Sequence, residues 1–167
     1  MWRKAMRRRW QLPERRRNAV GLDWHVMQHI LTLCIGNICR SPLAEALLAR
    51  EFPQRNVWSA GLEALVGEPA DPLSMLLAGE NGLDIGAHRA QQVTSVMCQQ
   101  ADLILVMEGH QRAELERRYP LVRGKVYLLG AGDIADPYRQ PRGAFEAAYA
   151  DIARGVAAWA TRIQRLG

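Results

Sequence analysis

Residues 30–42 read ILTLCIGNICRSP, an apolar run followed by a short turn and then by a segment with helical periodicity. The run from Ile30 to Leu33 is typical of a buried strand, and proline is tolerated at the first position of a helix. We therefore expect a strand, a turn that contains Cys34 to Ser41, and a helix that begins at Pro42. A strand, turn and helix in this order form the repeating unit of a parallel α/β sheet.

The same alternation continues along the chain. Short apolar runs at residues 57–59, 103–107 and 126–129 predict three further strands. Helices are predicted from Asp71-Pro72 to Asn81-Gly82, over residues 111–119, and along a stripe near the end of the chain that consists of Phe145, Tyr149, Ile152, Val156, Trp159 and Ile163. The sequence therefore predicts one α/β domain, a doubly wound four-stranded parallel sheet with helices on both faces.

Composition narrows the class of protein. The chain has 167 residues, of which 49% are hydrophobic and 23% charged, and it lacks a run of about 18 apolar residues that would predict a membrane span. Three cysteines are an odd number, and two of them lie in the turn, which argues against a secreted disulfide framework. We expect a cytoplasmic protein without stable membrane insertion.

The net charge of +5 is concentrated at the start of the chain. Residues 1–26 hold eight basic and two acidic side chains, whereas residues 27–167 hold 14 basic and 15 acidic side chains. Such a segment can bind nucleic acid or an anionic membrane, or it can be upstream sequence before a true start at Met27. We expect residues 27–167 to be the folded domain and residues 1–26 to be a basic extension, either disordered or part of a mis-assigned start.

The turn carries residue types suited to attack on a phosphate ester. Thiolate is the reactive form of cysteine, and a helix N-terminus with a nearby cation favours it. Cys34 would have both, and the guanidinium of Arg40 can hold two oxygens of a phosphate. Ser41 can donate its hydroxyl to the sulfur. Gly36 and Asn37 accept left-handed backbone conformations, which lets successive N–H groups face one oxyanion.

A proton donor is needed beside such a site, because displacing phosphate from an ester leaves an alkoxide or phenolate. Ligands of open parallel sheets bind beyond the carboxyl ends of the strands, and the loop after the fourth predicted strand contains Asp136-Pro137-Tyr138. We expect Asp136 to be the donor, although an Asp-Pro pair alone is more often only a turn. The turn lacks the second glycine and the lysine of a nucleotide-binding phosphate loop, and Cys34 and Cys39 lack zinc-site spacing.

Five segments extend this pattern along the chain: residues 34–42 (CIGNICRSP), 59–61 (SAG), 88–90 (HRA), 101–107 and 136–138 (DPY). In this order they resemble the low-molecular-weight protein tyrosine phosphatases, and the resemblance covers residues 27–166. Residues 59–71 and the DPYRQ ending are most similar to the bacterial branch that works with exopolysaccharide tyrosine kinases. The resemblance implies the phosphotyrosine phosphatase I fold, no metal or cofactor, and a phosphotyrosine protein as partner, in this branch a bacterial tyrosine autokinase.

The resemblance also implies a role for each matching residue. Cys34 would form a phosphocysteine, Arg40 would hold the phosphoryl oxygens, and Asp136 would protonate the leaving group and then activate water. The phosphate-binding loop would also contain Ile35, Gly36, Asn37, Ile38, Cys39 and Ser41, with Ser41 stabilising the thiolate. Hydrogen bonds through Ser59 and His88 would hold Asn37 in a strained turn, and Leu65 and Tyr138 would form the substrate rim. Cys39 either traps an oxidised Cys34 or is a packed residue, and Cys98 is expected in the core.

Two alternatives stay open at this point. A thiol-dependent arsenate reductase of the same fold uses a similar turn, but it needs further cysteines after the third strand, where this chain has Met107 and Glu108. A nucleic-acid-binding protein would work through residues 1–26, although the nearly neutral remainder and the complete catalytic set argue against it. The sequence does not predict an oligomeric state.

Overall fold

The computed structural model describes residues 27–165, in which four strands alternate with helices. The strands are β1 His29–Cys34, β2 Asn56–Gly61, β3 Leu103–Val106 and β4 Val126–Leu128. The helices are α1 Arg40–Glu51, α2 Pro72–Glu80, α3 Ser95–Gln100, α4 Gly109–Arg118 and α5 Arg142–Arg165, and a short 3-10 helix covers Pro120–Val122. Within residues 27–165, no helix is long and apolar enough to cross a membrane.

All four strands are parallel, in the spatial order β2-β1-β3-β4. Alternate residues of β1 and β3 face opposite sides of the sheet, and both sides are buried, so these strands read as continuous apolar runs. Ile30 and Leu105 pack in one cluster with residues of α1 and α5. Leu31 and Ile104 pack in another with Cys98 of α3 and Leu115 of α4. The predicted doubly wound α/β fold is confirmed.

The structure differs from the sequence predictions at three helices. α1 begins at Arg40, so Pro42 is its third residue, and α4 begins at Gly109, two residues earlier than predicted. α3 was not predicted. It has only six residues and one buried side chain, Cys98, which is too short for an apolar period, and Thr94 caps it by accepting a hydrogen bond from Met97 N–H.

The sheet topology brings separate loops to one edge. Because the strands are parallel, the loops that follow β1, β3 and β4 all leave from the carboxyl edge. β2 ends beside the turn after β1 at Gly61, where a Cβ would lie 2.4 Å from the carbonyl oxygen of Ile35. Glycine is therefore required at this position, and the edge of the sheet packs directly against the turn.

Candidate active site

Six consecutive carbonyl oxygens of the turn, from Cys34 to Cys39, accept hydrogen bonds from groups outside it. The donors are the backbone N–H groups of Leu62, Glu63, Leu65 and Asp71, the Nε2 of His88 and the hydroxyl of Ser74, at 2.7–3.4 Å. In a trans peptide the carbonyl and the following N–H point in opposite directions, so the N–H groups of residues 35–40 face the inside of the turn. Those of residues 35–39 have no partner among the described residues. A turn of this shape can act as a cradle for an oxyanion.

Buried hydrogen bonds of Asn37 fix the conformation of the turn. This residue has a φ of +57° and is fully buried. Its Oδ1 accepts a hydrogen bond from the backbone N–H of Gln91 at 2.9 Å, and its Nδ2 donates to the hydroxyls of Ser41 and Ser59 at 2.8 and 2.9 Å. Since a backbone N–H can only donate, the bond from Gln91 determines which way the amide of Asn37 points.

The same network extends to the sulfur of Cys34. The Oγ of Ser41 lies 3.0 Å from the Sγ of Cys34. Because this oxygen already accepts a hydrogen bond from Asn37, the hydroxyl hydrogen of Ser41 is available to the sulfur. Ser59 in turn donates to Glu45 of α1 at 2.5 Å. Sequence reasoning missed Glu45, and no local signal pairs a residue of α1 with one of β2.

Arg40 is 1% exposed and is held by groups from two other loops. Its Nη1 donates to the carboxylate of Glu108 and, at 2.7 Å, to the carbonyl of Ile134, while its Nη2 lies 3.4 Å from Asp136 Oδ2. Its Nε is buried without a hydrogen-bond partner among the described residues. Glu108 was not predicted as a site residue. Its position directly after the third apolar run, at the carboxyl edge of the sheet, is the signal that could have found it.

A cavity of about 280 Å³ lies over the turn. Its lining contains nine of the residues predicted for the site, namely Cys34, Ile35, Gly36, Ile38, Cys39, Arg40, Leu65, Asp136 and Tyr138. Asn37, Ser41 and Ser59 are buried behind it, and His88 contacts the turn through the carbonyl of Asn37. The structure thus brings the predicted residues together. Two further residues line the cavity that were not predicted, Glu63 and Arg139.

The other two cysteines lie in surroundings that disfavour ionisation of a thiol. Burial, with the nearby charge of Asp71 as a smaller cause, raises the pKa of Cys39 well above its ordinary value. Burial also raises the pKa of Cys98 to about 11, and this residue lies in the core as expected. Neither environment favours a thiolate, which leaves Cys34 as the nucleophile candidate of this site.

Known proteins match nearly all of the described chain. A model of the family "low molecular weight phosphotyrosine protein phosphatase" matches residues 29–166. The probable low molecular weight protein-tyrosine-phosphatase EpsP of Ralstonia nicotianae is 50% identical over 145 residues, which are 85% of this chain and 100% of that protein. The low molecular weight protein-tyrosine-phosphatase Wzb of Escherichia coli K12 is 45% identical over 139 residues, 81% of this chain and 95% of Wzb.

Solved structures match as well. The structure of Vibrio vulnificus Wzb in complex with benzylphosphonate superposes with a TM-score of 0.79 at 44% identity, covering 81% of this chain and 99% of that one. The match therefore extends over the sheet and its helices as well as over the sequence.

Proposed function

Since this chain belongs to the low molecular weight phosphotyrosine protein phosphatase family and is a protein-tyrosine phosphatase, we propose that Cys34 is its nucleophile, Arg40 its phosphate clamp and Asp136 its general acid and base. The observation that supports the proposal is the geometry of the turn after β1. Inward-facing N–H groups of residues 35–40 surround the place that a tetrahedral phosphate would take above Cys34.

The reaction proceeds in two displacements at phosphorus. The Cys34 thiolate attacks the phosphoryl group of phosphotyrosine, the P–O bond to the ring breaks, and Asp136 gives its proton to the departing phenolate. This leaves a phosphocysteine and an ionised Asp136. The carboxylate then takes a proton from a water molecule as its oxygen attacks the phosphorus, which releases inorganic phosphate and restores the thiolate.

Arg40 and the cradle stabilise the charge that the phosphoryl oxygens carry during both steps. Glu108 and Ile134 occupy Nη1 of Arg40, so its free Nε is left to donate to the phosphate, and Nη2 lies beside Asp136. Ser41 donates to the sulfur and lowers the energy of the thiolate as attacking and leaving group.

The proposed substrate is a phosphotyrosine protein, and the proposed partner is a tyrosine autokinase of bacterial exopolysaccharide synthesis in the cytoplasm. Similarity to bacterial relatives such as EpsP and Wzb supports this choice. The arsenate reductase alternative loses support at the loop after β3, where buried Met107 and Glu108, the partner of Arg40, replace the cysteines that such an enzyme needs. Nucleic-acid binding would depend on residues 1–26, which lie outside the described residues.

The proposal is tested by hydrolysis of phenyl phosphate and p-nitrophenyl phosphate in the presence of EDTA. Cys34→Ser should lose at least about a thousandfold in kcat, because the hydroxyl is a far weaker nucleophile. Asp136→Asn should lose about 10²–10⁴-fold on phenyl phosphate. Its loss on p-nitrophenyl phosphate should be smaller, because p-nitrophenolate leaves without a proton.

Asp133→Asn is the matched control for the acid. Asp133 lies in the same loop, accepts a hydrogen bond from Gly109 N–H that asparagine can also accept, and does not line the cavity. Wild-type rates in Cys34→Ser, or turnover that stops when EDTA removes metal ions, would contradict the mechanism.

A further inference from the structure

Two oppositely charged residues stand at the mouth of the cavity on different loops. Glu63 follows β2 and Arg139 follows β4, so they come from the two edge strands on either side of the turn after β1. The side chain of Glu63 is 75% exposed, and its Oε1 lies 3.9 Å from Nη2 of Arg118. Arg139 makes no ion pair with a carboxylate among the described residues, and its guanidinium carbon stacks 5.1 Å from the centre of the Tyr138 ring.

The backbone at Arg139 is unusual. Gln140 N–H donates to the carbonyl of Pro137 at 2.9 Å, which closes a four-residue turn with Arg139 at its third position, where φ is +60°. Glycine or asparagine is favoured at such a position, and a larger side chain there is strained. In the described chain only Asn37 shares a positive φ without being glycine, and Asn37 is explained by its hydrogen bonds to the turn. Among the described residues, Arg139 makes no hydrogen bond or ion pair that would offset this strain, and its one aromatic contact is the stacking on its neighbour Tyr138.

The strained position places a cation beside the entrance that a phosphotyrosine must pass. Tyr138 supports the guanidinium through cation–π stacking and leaves its N–H groups free to bind an anion. Because Pro137 is buried and the turn is closed by a hydrogen bond, the cation is held near the cavity rather than on a freely moving tail.

We infer that Arg139 is a specificity-determining residue, which binds a carboxylate or phosphate carried by a side chain next to the phosphotyrosine of the substrate. This inference rests on the proposed phosphatase function and narrows its substrate class to phosphotyrosines with an anionic neighbour. The contact is exposed to solvent, so it is expected to weaken as salt screens it.

The test compares short phosphotyrosyl peptides that differ at one residue next to the phosphotyrosine. This residue is glutamate, glutamine, lysine or a second phosphotyrosine, and it is placed before the phosphotyrosine in one set and after it in the other. The wild type should hydrolyse the best anionic peptide about three- to fivefold faster, in kcat/KM, than its glutamine counterpart at low salt. The glutamate and second-phosphate peptides tell which anion is preferred. In Arg139→Gln this ratio should fall to about one, and in Arg139→Glu the lysine peptide should become the better substrate.

Arg123→Gln is the matched control, because Arg123 is exposed at the opposite edge of the sheet, just before β4. It should keep the wild-type ratio. Arg139→Gly removes the side chain and suits the positive φ, so it should lose the ratio with no drop in Tm.

The inference would be wrong if the ratio of kcat/KM between the anionic and the glutamine peptide were the same in Arg139→Gln as in the wild type. It would also be wrong if Arg123→Gln lowered this ratio as much as Arg139→Gln does. Either result would leave the phosphatase function standing. A wild type that releases no phosphate from p-nitrophenyl phosphate would overturn the proposed function, and this inference with it.

Discussion

Arg40 shows how a single buried cation can be kept ready for a ligand. The desolvation of an unpaired guanidinium would be costly, so the chain surrounds it with the carboxylates of Glu108 and Asp136 and the carbonyl of Ile134. Only Nη1 is fully occupied by these groups. The guanidinium is therefore oriented by its partners while its Nε–H remains free to donate to a ligand, which is the arrangement that a phosphate clamp needs.

Glu108 can be tested separately from the residues that contact phosphate. In Glu108→Ala, Nη1 keeps only the carbonyl of Ile134, so the guanidinium should lose its fixed orientation. We expect the inhibition constant of inorganic phosphate to rise about tenfold, the effect of losing about 1.4 kcal/mol from a charge-assisted hydrogen bond. Glu108→Gln, which still accepts a hydrogen bond, should change it less.

Glu116→Ala is the control for Glu108, because the one partner of Glu116 among the described residues is exposed Arg112, which also lies on α4. If the negative charge of Glu108 mattered mainly by repelling phosphate, both Glu108 variants would bind phosphate more tightly, and the positioning role would be wrong.

Among the helices, α5 covers one face of the sheet together with α1. Its predicted stripe is buried at Phe145, Ile152, Val156, Trp159 and Ile163, and Tyr149 is half-buried. The helix lies so close to the loop after β4 that a Cβ on Gly155 would be 2.6 Å from the carbonyl oxygen of Leu129. This loop leads to Asp136, so the packing of α5 supports the position of the proposed acid.

Two glycines of α5 should respond in opposite directions to the same substitution. Gly155→Ala should lower the free energy of unfolding by about 1–3 kcal/mol, because the methyl group collides with backbone. Gly143→Ala has open space around its Cβ and should raise that free energy by up to about 1 kcal/mol, the helix preference of alanine over glycine. Urea unfolding of both variants measures the difference, and a shift of the same sign in both would show that the close contact is not decisive.

For the whole molecule, the charge is distributed unevenly along the sequence. Residues 27–167 have a net charge of −1, and the basic excess lies in residues 1–26. The side chain of Met27 is 2% exposed in the core, next to the start of β1. The folded domain proposed from the sequence thus has a buried first residue.

A chain that begins at Met27 should therefore fold and work without the basic segment. We expect the same Tm and the same kcat/KM for p-nitrophenyl phosphate as for the full chain, measured by thermal unfolding and phosphate release. Binding to heparin should weaken on truncation, because the remaining charge is nearly neutral. A large loss of stability or rate would show that residues 1–26 belong to the domain, and heparin binding that survives truncation would contradict this division of charge.

The order of strands and helices was readable from the sequence, because apolar runs and helical stripes are local patterns. The helix boundaries and α3 were not, since hydrogen bonds and caps decide them within one or two residues. Cys34, Arg40 and Asp136 could be selected as candidates from residue type and spacing, and Glu108 could have been selected from its position after the third apolar run, whereas Glu45 and Gln91 could not. Their importance comes from the partners that they contact, and those partners lie far away in the sequence.

Local patterns of residues were enough to predict the parallel sheet, the turn after β1 and the candidate residues for a phosphate ester in that turn. Three features came from the folded chain alone: the outward carbonyls of this turn, the contact of Ser41 with both Asn37 and the sulfur, and the position of Arg139 at the mouth with a positive φ. The reason is physical. Periodicity and residue chemistry act over a few neighbouring residues, whereas the direction of a hydrogen bond depends on donors and acceptors that folding alone brings together.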